Sequence, residues 1–217
     1  MASIEKYGKS CLDLLVISYD IYKMEQVTIN KSINLSEHFK LGEVTKSSHT
    51  EIYNIPSHVA IENLKRVCVW LEALRYRYNQ RYVVGGSDSP PKLGGDGGGL
   101  NKRTFRPPLT PPNLGGEDVT EAPIIINSGY RSPELNKKVG GAPTSNHLTG
   151  CAVDIRVAGI EQSMRYAVIL MDYADETQQD YDELLIERSP QGNYWLHFAV
   201  RPKDNRRKTT FILMHNA

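Results

Sequence analysis

The stretch Ser145-Asn146-His147-Leu148-Thr149-Gly150-Cys151-Ala152-Val153-Asp154-Ile155-Arg156-Val157 joins a polar loop to a strand. From Cys151 onward the residues alternate with a period of two. Cys151, Val153, Ile155 and Val157 face one way; Ala152, Asp154 and Arg156 face the other. Asp154 therefore stands on the polar face, and His147 lies in the loop that feeds this strand. Gly150, without a side chain, lets the two approach closely. Further on, Tyr194-Trp195-Leu196-His197-Phe198-Ala199-Val200 alternates in the same way, with Leu196, Phe198 and Val200 on one face and Trp195, His197 and Ala199 on the other. If the two strands are neighbours, His147, Asp154 and His197 close on one ion. Two imidazoles and a carboxylate suit zinc, and three protein ligands leave a fourth position open, the arrangement of a catalytic site. The competing reading makes Asp154 a turn cap, His147 a loop residue and His197 a core histidine. Spacing alone does not separate the two.

The elements around this stretch define the fold class. Ile124-Ile125-Ile126 is a β-branched run ending in the turn Asn127-Ser128-Gly129. Ser132 and Pro133 then supply a cap and a first helical residue, and Gly140-Gly141 ends that short helix. Upstream, Ile61, Leu64, Val67, Cys68, Leu71, Leu74 and Tyr78 recur at helical steps and predict a helix over about 58–79. Trp70 falls off that stripe and is expected to pack on a neighbouring element. Downstream, Ile160, Met164, Ala167, Val168 and Met171 predict a helix over about 160–175 with those residues on its buried stripe, followed by strands near 183–187, 194–200 and 209–214. Helices and short strands in separate blocks predict an α+β fold, a small antiparallel sheet flanked by helices.

Composition narrows the partners. Among 217 residues, 26 Lys and Arg offset 25 Asp and Glu, so no charge imbalance points to nucleic acid or an anionic membrane. No apolar run has the roughly 18–20 residues of a membrane span, and the first 30 residues lack a secretory layout, so classical export is not expected. Cys11, Cys68 and Cys151 are too few and too scattered for a disulfide framework and read as free thiols, Cys151 as a buried one. Residues 85–123 hold nine of the 17 glycines and seven of the 12 prolines, a linker or long insertion. The expected organisation is an N-terminal extension over 1–30 and one domain over 31–217, interrupted by the insertion at 85–122. His38, His49 and His58 share no spacing and read as surface or capping residues. The basic stretch Arg201, Lys203, Arg206, Arg207 and Lys208 reads as a solvated turn.

Ser145-x-His147-x-x-Gly150-x-Ala152-x-Asp154 resembles the S-x-H-x-x-G-x-A-x-D signature of the zinc D-Ala-D-Ala carboxypeptidase and endolysin family of metallopeptidases. Ile126-Asn127-Ser128-Gly129-Tyr130-Arg131-Ser132-Pro133, Trp195-Leu196-His197, Leu35-Ser36-Glu37-His38-Phe39 and Glu62-Asn63-Leu64-Lys65 are similar to further segments of one branch. The resemblance spans about 35–83 and 123–200. It implies the α+β fold shared with hedgehog signalling domains, zinc held by His147, Asp154 and His197, and a peptidoglycan stem peptide as substrate. Arg131 matches an arginine that holds the substrate carbonyl or carboxylate. Ser145 is a candidate for binding substrate or ordering the loop, and Tyr130 for lining the cleft or packing.

The resemblance also implies a carboxylate base near the metal, three positions before the last histidine in several members. Tyr194 occupies that position here. Glu187, at the end of a strand that the Ser189-Pro190-Gln191-Gly192 turn folds back, is the expected base, with Glu183 or Asp182 as the alternatives. Three functions compete: a zinc peptidase acting on the cell wall, phage lysin-like or exported unconventionally; a zinc-holding module of the same fold that binds wall peptides or a protein without turnover; and a structural phage component assembled through the insertion.

Overall fold

The alternation described above places two opposite faces on every strand, and the sheet stacks those faces in register. The computed structural model describes residues 30–83 and 121–214. The proposed 1–30 extension and the Gly/Pro-rich insertion fall almost wholly outside the described residues. In chain order the elements are α1 (Leu41–Val44), α2 (His58–Tyr82), β1 (Ile126–Ser128), α3 (Pro133–Lys138), a 3-10 turn (Asn146–Thr149), β2 (Ala152–Arg156), α4 (Ile160–Thr177), β3 (Glu183–Arg188), β4 (Tyr194–Ala199) and β5 (Lys208–Met214). The sheet has five strands in the order β1-β2-β4-β3-β5. The α+β class holds.

Three of the four strand pairings are antiparallel, as expected, but β5 runs parallel to β3. The reason lies in where β4 ends. Ala199 sits beside Glu183, the first residue of β3, and Lys208 starts β5 beside that same Glu183. The chain therefore hops over the end of β3 through residues 200–207 and lines up with it on the far side. Arg207 N–H donates to Tyr181 O, and Lys208 N–H to Asp182 O, along this crossing.

One sheet face carries Val153 and Ile155 of β2, Leu196 and Phe198 of β4 and Leu184 and Ile186 of β3, all buried. α2 covers this face. Trp70, almost fully buried, meets Phe198 at 5.4 Å, Tyr173 of α4 at 4.9 Å and Tyr181 at 6.4 Å between ring centroids, the contacts that the off-stripe tryptophan was expected to need. The start of α2 is fixed by Ser57, whose Oγ accepts from Ala60 N–H.

The helix at 160–177 turns a different side inward from the one its apolar count predicts. Ser163, Tyr166, Ala167, Ile169, Leu170 and Ala174 are buried, whereas Ile160, Met164 and Val168 are exposed. Tyr166 decides the rotation: its ring packs edge-on against Tyr78 of α2, 4.9 Å between centroids. Ser163 sits in the same interface at little cost, because its hydroxyl donates to Gly159 O at 2.9 Å.

Asn79 closes the base of the insertion. Its side chain accepts from Ala122 N–H at 2.7 Å and donates to Ala122 O at 3.1 Å, and Arg75 pairs with Glu121 at 2.6 Å. The chain thus re-enters the described structure beside the last turns of α2. A loop whose ends are neighbours can grow with a small entropic cost, since closure depends on the logarithm of its length.

Candidate metal centre

The second sheet face carries the polar residues. In one cross-strand row, Ser128 of β1 pairs with Asp154 of β2, Asp154 with His197 of β4, and His197 with Leu185 of β3. Directly paired residues put their side chains on the same face within reach of each other. Asp154 and His197 are thereby adjacent because the strand alternation and this register leave them nowhere else to go.

His147 arrives from the 3-10 turn. Ser145 caps that turn, its Oγ accepting from His147 N–H, so it orders the loop. Gly150 ends the turn at φ +72°, and a Cβ there would lie 2.4 Å from Ala60 O of α2, so position 150 needs glycine for both conformation and space. Asn63 of α2 donates to Thr149 O at 2.8 Å, which ties the turn to the helix.

His147 Nδ1 donates to Gly129 O at 2.6 Å. That bond leaves Nε2 with its lone pair facing Asp154 Oδ1 at 3.3 Å. His197 Nδ1 lies 2.9 Å from the same oxygen. Two acceptors in contact inside a protein require a proton or a metal ion between them. One donor atom from each of the three buried residues lies within 4.8 Å of the others, and the two separations from Asp154 Oδ1, 3.3 and 2.9 Å, approach the roughly 3.3–3.5 Å edge of a tetrahedron with bonds of about 2.0–2.1 Å. The donor set fits a zinc-type ion.

Arg131 follows β1 and is held by two bonds: Nε donates to Ser128 Oγ at 2.9 Å and Nη2 to Asp154 Oδ2 at 2.5 Å. It therefore occupies one oxygen of Asp154 and leaves Oδ1 to the histidines. Burial alone would raise the Asp154 carboxyl, but His147 and His197 hold it well below the usual carboxylate range. His197 is buried too, which alone would lower it; the Asp154 and Glu183 carboxylates beside it raise it to about 9.

The carboxylates of β3 separate into distinct environments. Glu187 is buried and accepts a hydrogen bond from Trp195 Nε1. Glu183 lies 3.6 Å from His197 Nε2 and also meets Asn146, Arg206 and Lys208; its carboxyl is lowered to about 2, first by His197, against burial. Asp182 has no exposed surface and is clamped by Arg201, Arg206 and Asn146, which removes it as a base for substrate chemistry. The 201–208 stretch is largely exposed, as expected of a solvated turn, while Arg201 and Arg206 are tied to Asp182 and Arg207 to Asp175 and Asp180.

The three metal-type residues line an open cleft of about 620 Å³ together with Arg131, Ser145, Glu183, Glu187 and Trp195. Tyr130 is not among its lining residues. Its ring is buried, burial raises its hydroxyl, and its backbone donates to Val44 O at 2.7 Å, so it packs. Asn146 and Trp195 escaped the sequence reading. Asn146 occupies an unspecified position of the signature; Trp195 shares His197's strand face and lies in the resembling segment Trp195-Leu196-His197, the two signals that could have marked it.

A buried His-Asp-His cluster on the floor of a cleft, flanked by carboxylates on the same sheet face, is an arrangement that could hold a metal ion. Residues 116–178 match the family model described as Peptidase M15, which bears out the resemblance to the zinc D-Ala-D-Ala carboxypeptidase-type family over that segment. No curated protein matches the chain. The matched segment contains Arg131, His147 and Asp154; His197 and Glu187 lie beyond it and join the site through the sheet.

Proposed function

We propose that the protein is a zinc-dependent peptidase that hydrolyses an amide bond in peptidoglycan stem peptides, of the D-Ala-D-Ala carboxypeptidase or endolysin type. The observation that carries the reading is the juxtaposition of the His147, Asp154 and His197 donor atoms with Glu187 in a single open cleft. Those three residues would hold the ion. When bound, a divalent ion supplies Lewis-acid polarisation of the scissile carbonyl and an acidified water nucleophile.

The protein's own residues supply the rest. Glu187 takes the proton from the attacking water and delivers it to the leaving amine. Its bond from Trp195 holds the carboxylate at the cleft. Glu183 suits that task less well, because a carboxylate lowered to about 2 is a weak proton acceptor at neutral pH. Arg131 holds Asp154 and, from the cleft wall, directs its remaining N–H groups to the substrate carbonyl or carboxylate. With a wall peptide as substrate, the site of action is the cell wall.

The test pairs elemental analysis with digestion of purified peptidoglycan followed by mass spectrometry, on the natural chain, His147→Ala and Glu187→Gln. About one zinc per chain, lost in His147→Ala, and a new stem-peptide product are expected. Glu187→Gln should keep the zinc and lose on the order of 10²–10⁴-fold in turnover. Zinc without any product would favour a binding module, for which Tyr194 in place of a carboxylate is the motive. A folded protein without zinc would refute the metal centre.

A further inference from the structure

We infer that Glu183 is a positioning residue for His197: its carboxylate receives the His197 Nε2–H and holds the ring so that Nδ1 faces the metal. The inference rests on the metal-centre reading above. Asp154 Oδ1 lies 2.9 Å from His197 Nδ1, so Nδ1 is the nitrogen turned toward His147 and Asp154. Nε2 points the other way, 3.6 Å from Glu183 Oε2. That separation is a few tenths of an ångström beyond a formed N–H···O bond, within the range of a small rotation about the broad imidazole χ2 well.

The sheet explains why Glu183, and not Glu187, has this place. Leu185 pairs directly with His197, so the two glutamates are its diagonal neighbours on the same face, one on each side. Glu187 is drawn to Trp195. Glu183 is fixed instead by three further donors: Asn146 Nδ2 at 3.1 Å to Oε2, with Arg206 Nη2 at 3.0 Å and Lys208 Nζ at 3.2 Å to Oε1. Asn146 precedes His147, so one carboxylate links the turn that carries His147 to the strand that carries His197. An imidazole anchored through its far nitrogen presents the other nitrogen in one tautomer and one orientation, and loss of such an anchor usually costs about 10–100-fold in metal affinity.

The experiment measures the zinc dissociation constant of the full chain by competition with a chromophoric chelator. Variants are Glu183→Ala, Glu183→Gln, Glu183→Asp, Glu187→Gln and His147→Ala. Glu183→Ala should weaken zinc binding about 10–100-fold. Glu183→Gln should stay within a few-fold of the natural protein, because its carboxamide oxygen still accepts from Nε2–H although its pairing with Arg206 and Lys208 is weakened. Glu187→Gln should leave the constant unchanged. If Glu183→Ala does not fold, Glu183→Asp carries the test, since its shorter carboxylate withdraws from the ring and should weaken binding. Natural affinity in Glu183→Ala or Glu183→Asp, or a Gln variant as weak as the Ala variant, would overturn the inference. Equal zinc binding by the natural protein and His147→Ala would instead overturn the metal centre itself.

Discussion

Gly129→Ala should damage the metal centre although Gly129 contributes no side chain to it. A Cβ at position 129 would stand 2.2 Å from Val44 O, whereas ordinary contact begins near 3.4 Å, so the two backbones must part by about 1.2 Å. No side-chain rotation relieves a clash between backbones. The Tyr130 N–H to Val44 O bond, 2.7 Å long, would break at that opening, and the Gly129 carbonyl that fixes His147 Nδ1 at 2.6 Å would shift with it. Overpacking costs about 1–3 kcal/mol and a lost hydrogen bond about 1 kcal/mol, so the variant should lose about 2–4 kcal/mol. At about 2–4 °C per kcal/mol for a chain of this size, Tm should fall by roughly 5–15 °C. Freeing His147 from its carbonyl should also weaken zinc binding about 10–100-fold. Calorimetry and chelator competition measure the two effects. Gly159→Ala is the control, because a Cβ there meets nothing within 4 Å and its φ of 164° is extended backbone. A Gly129→Ala protein with the natural Tm and natural zinc affinity would refute the claim that α1 sets the geometry of His147.

Two further predictions concern the helical side of the molecule. Glu72 accepts from Ser36 Oγ at 2.7 Å and from His38 N–H at 2.8 Å, and pairs with the His38 ring, pinning residues 36–38 to α2. Burial works against its charge, yet Ser36 and then His38 hold its carboxyl below the ordinary 4.5. A lowered carboxyl stabilises the fold above its unfolded pKa and loses that contribution as pH falls through the folded one. Glu72→Ala should therefore cost about 1–2 kcal/mol in urea unfolding at pH 7, and the difference from the natural protein should shrink as pH drops below about 4.5. Cys68 is buried and burial pushes its thiol up to about 12; Cys151 is raised by burial as well. Both should remain unmodified when the native protein is alkylated at pH 8 and mapped by mass spectrometry, and should react fully in urea.

What the sequence made legible here depended on the period of the element. A strand alternates with period two, so a correct strand assignment at 151–157 and 194–200 was enough to put Asp154 and His197 on one face and Val153, Ile155, Leu196 and Phe198 on the other. α4 offered no such certainty. Its apolar residues lie on two adjoining flanks, and the contact of Tyr166 with Tyr78, which chooses between them, is a tertiary event. The direction of β5 was hidden for a similar reason: it follows from β4 ending beside Glu183, a matter of sheet order and not of local pattern.

The same limit explains the carboxylates. Glu183 and Glu187 stand two positions on either side of Leu185, so strand parity gives them equal access to the face that carries His197. Their cross-strand neighbours distinguish them. Glu187 pairs with Trp195, whose indole N–H donates to its carboxylate. Glu183 lies opposite Ala199 on β4 and Lys208 on β5, and the chain crossing that brings Arg206 and Lys208 to it is the same crossing that makes β5 parallel. The strand direction that could not be read from the sequence is thus what brings Arg206 and Lys208 to one glutamate, while the other meets the indole of Trp195.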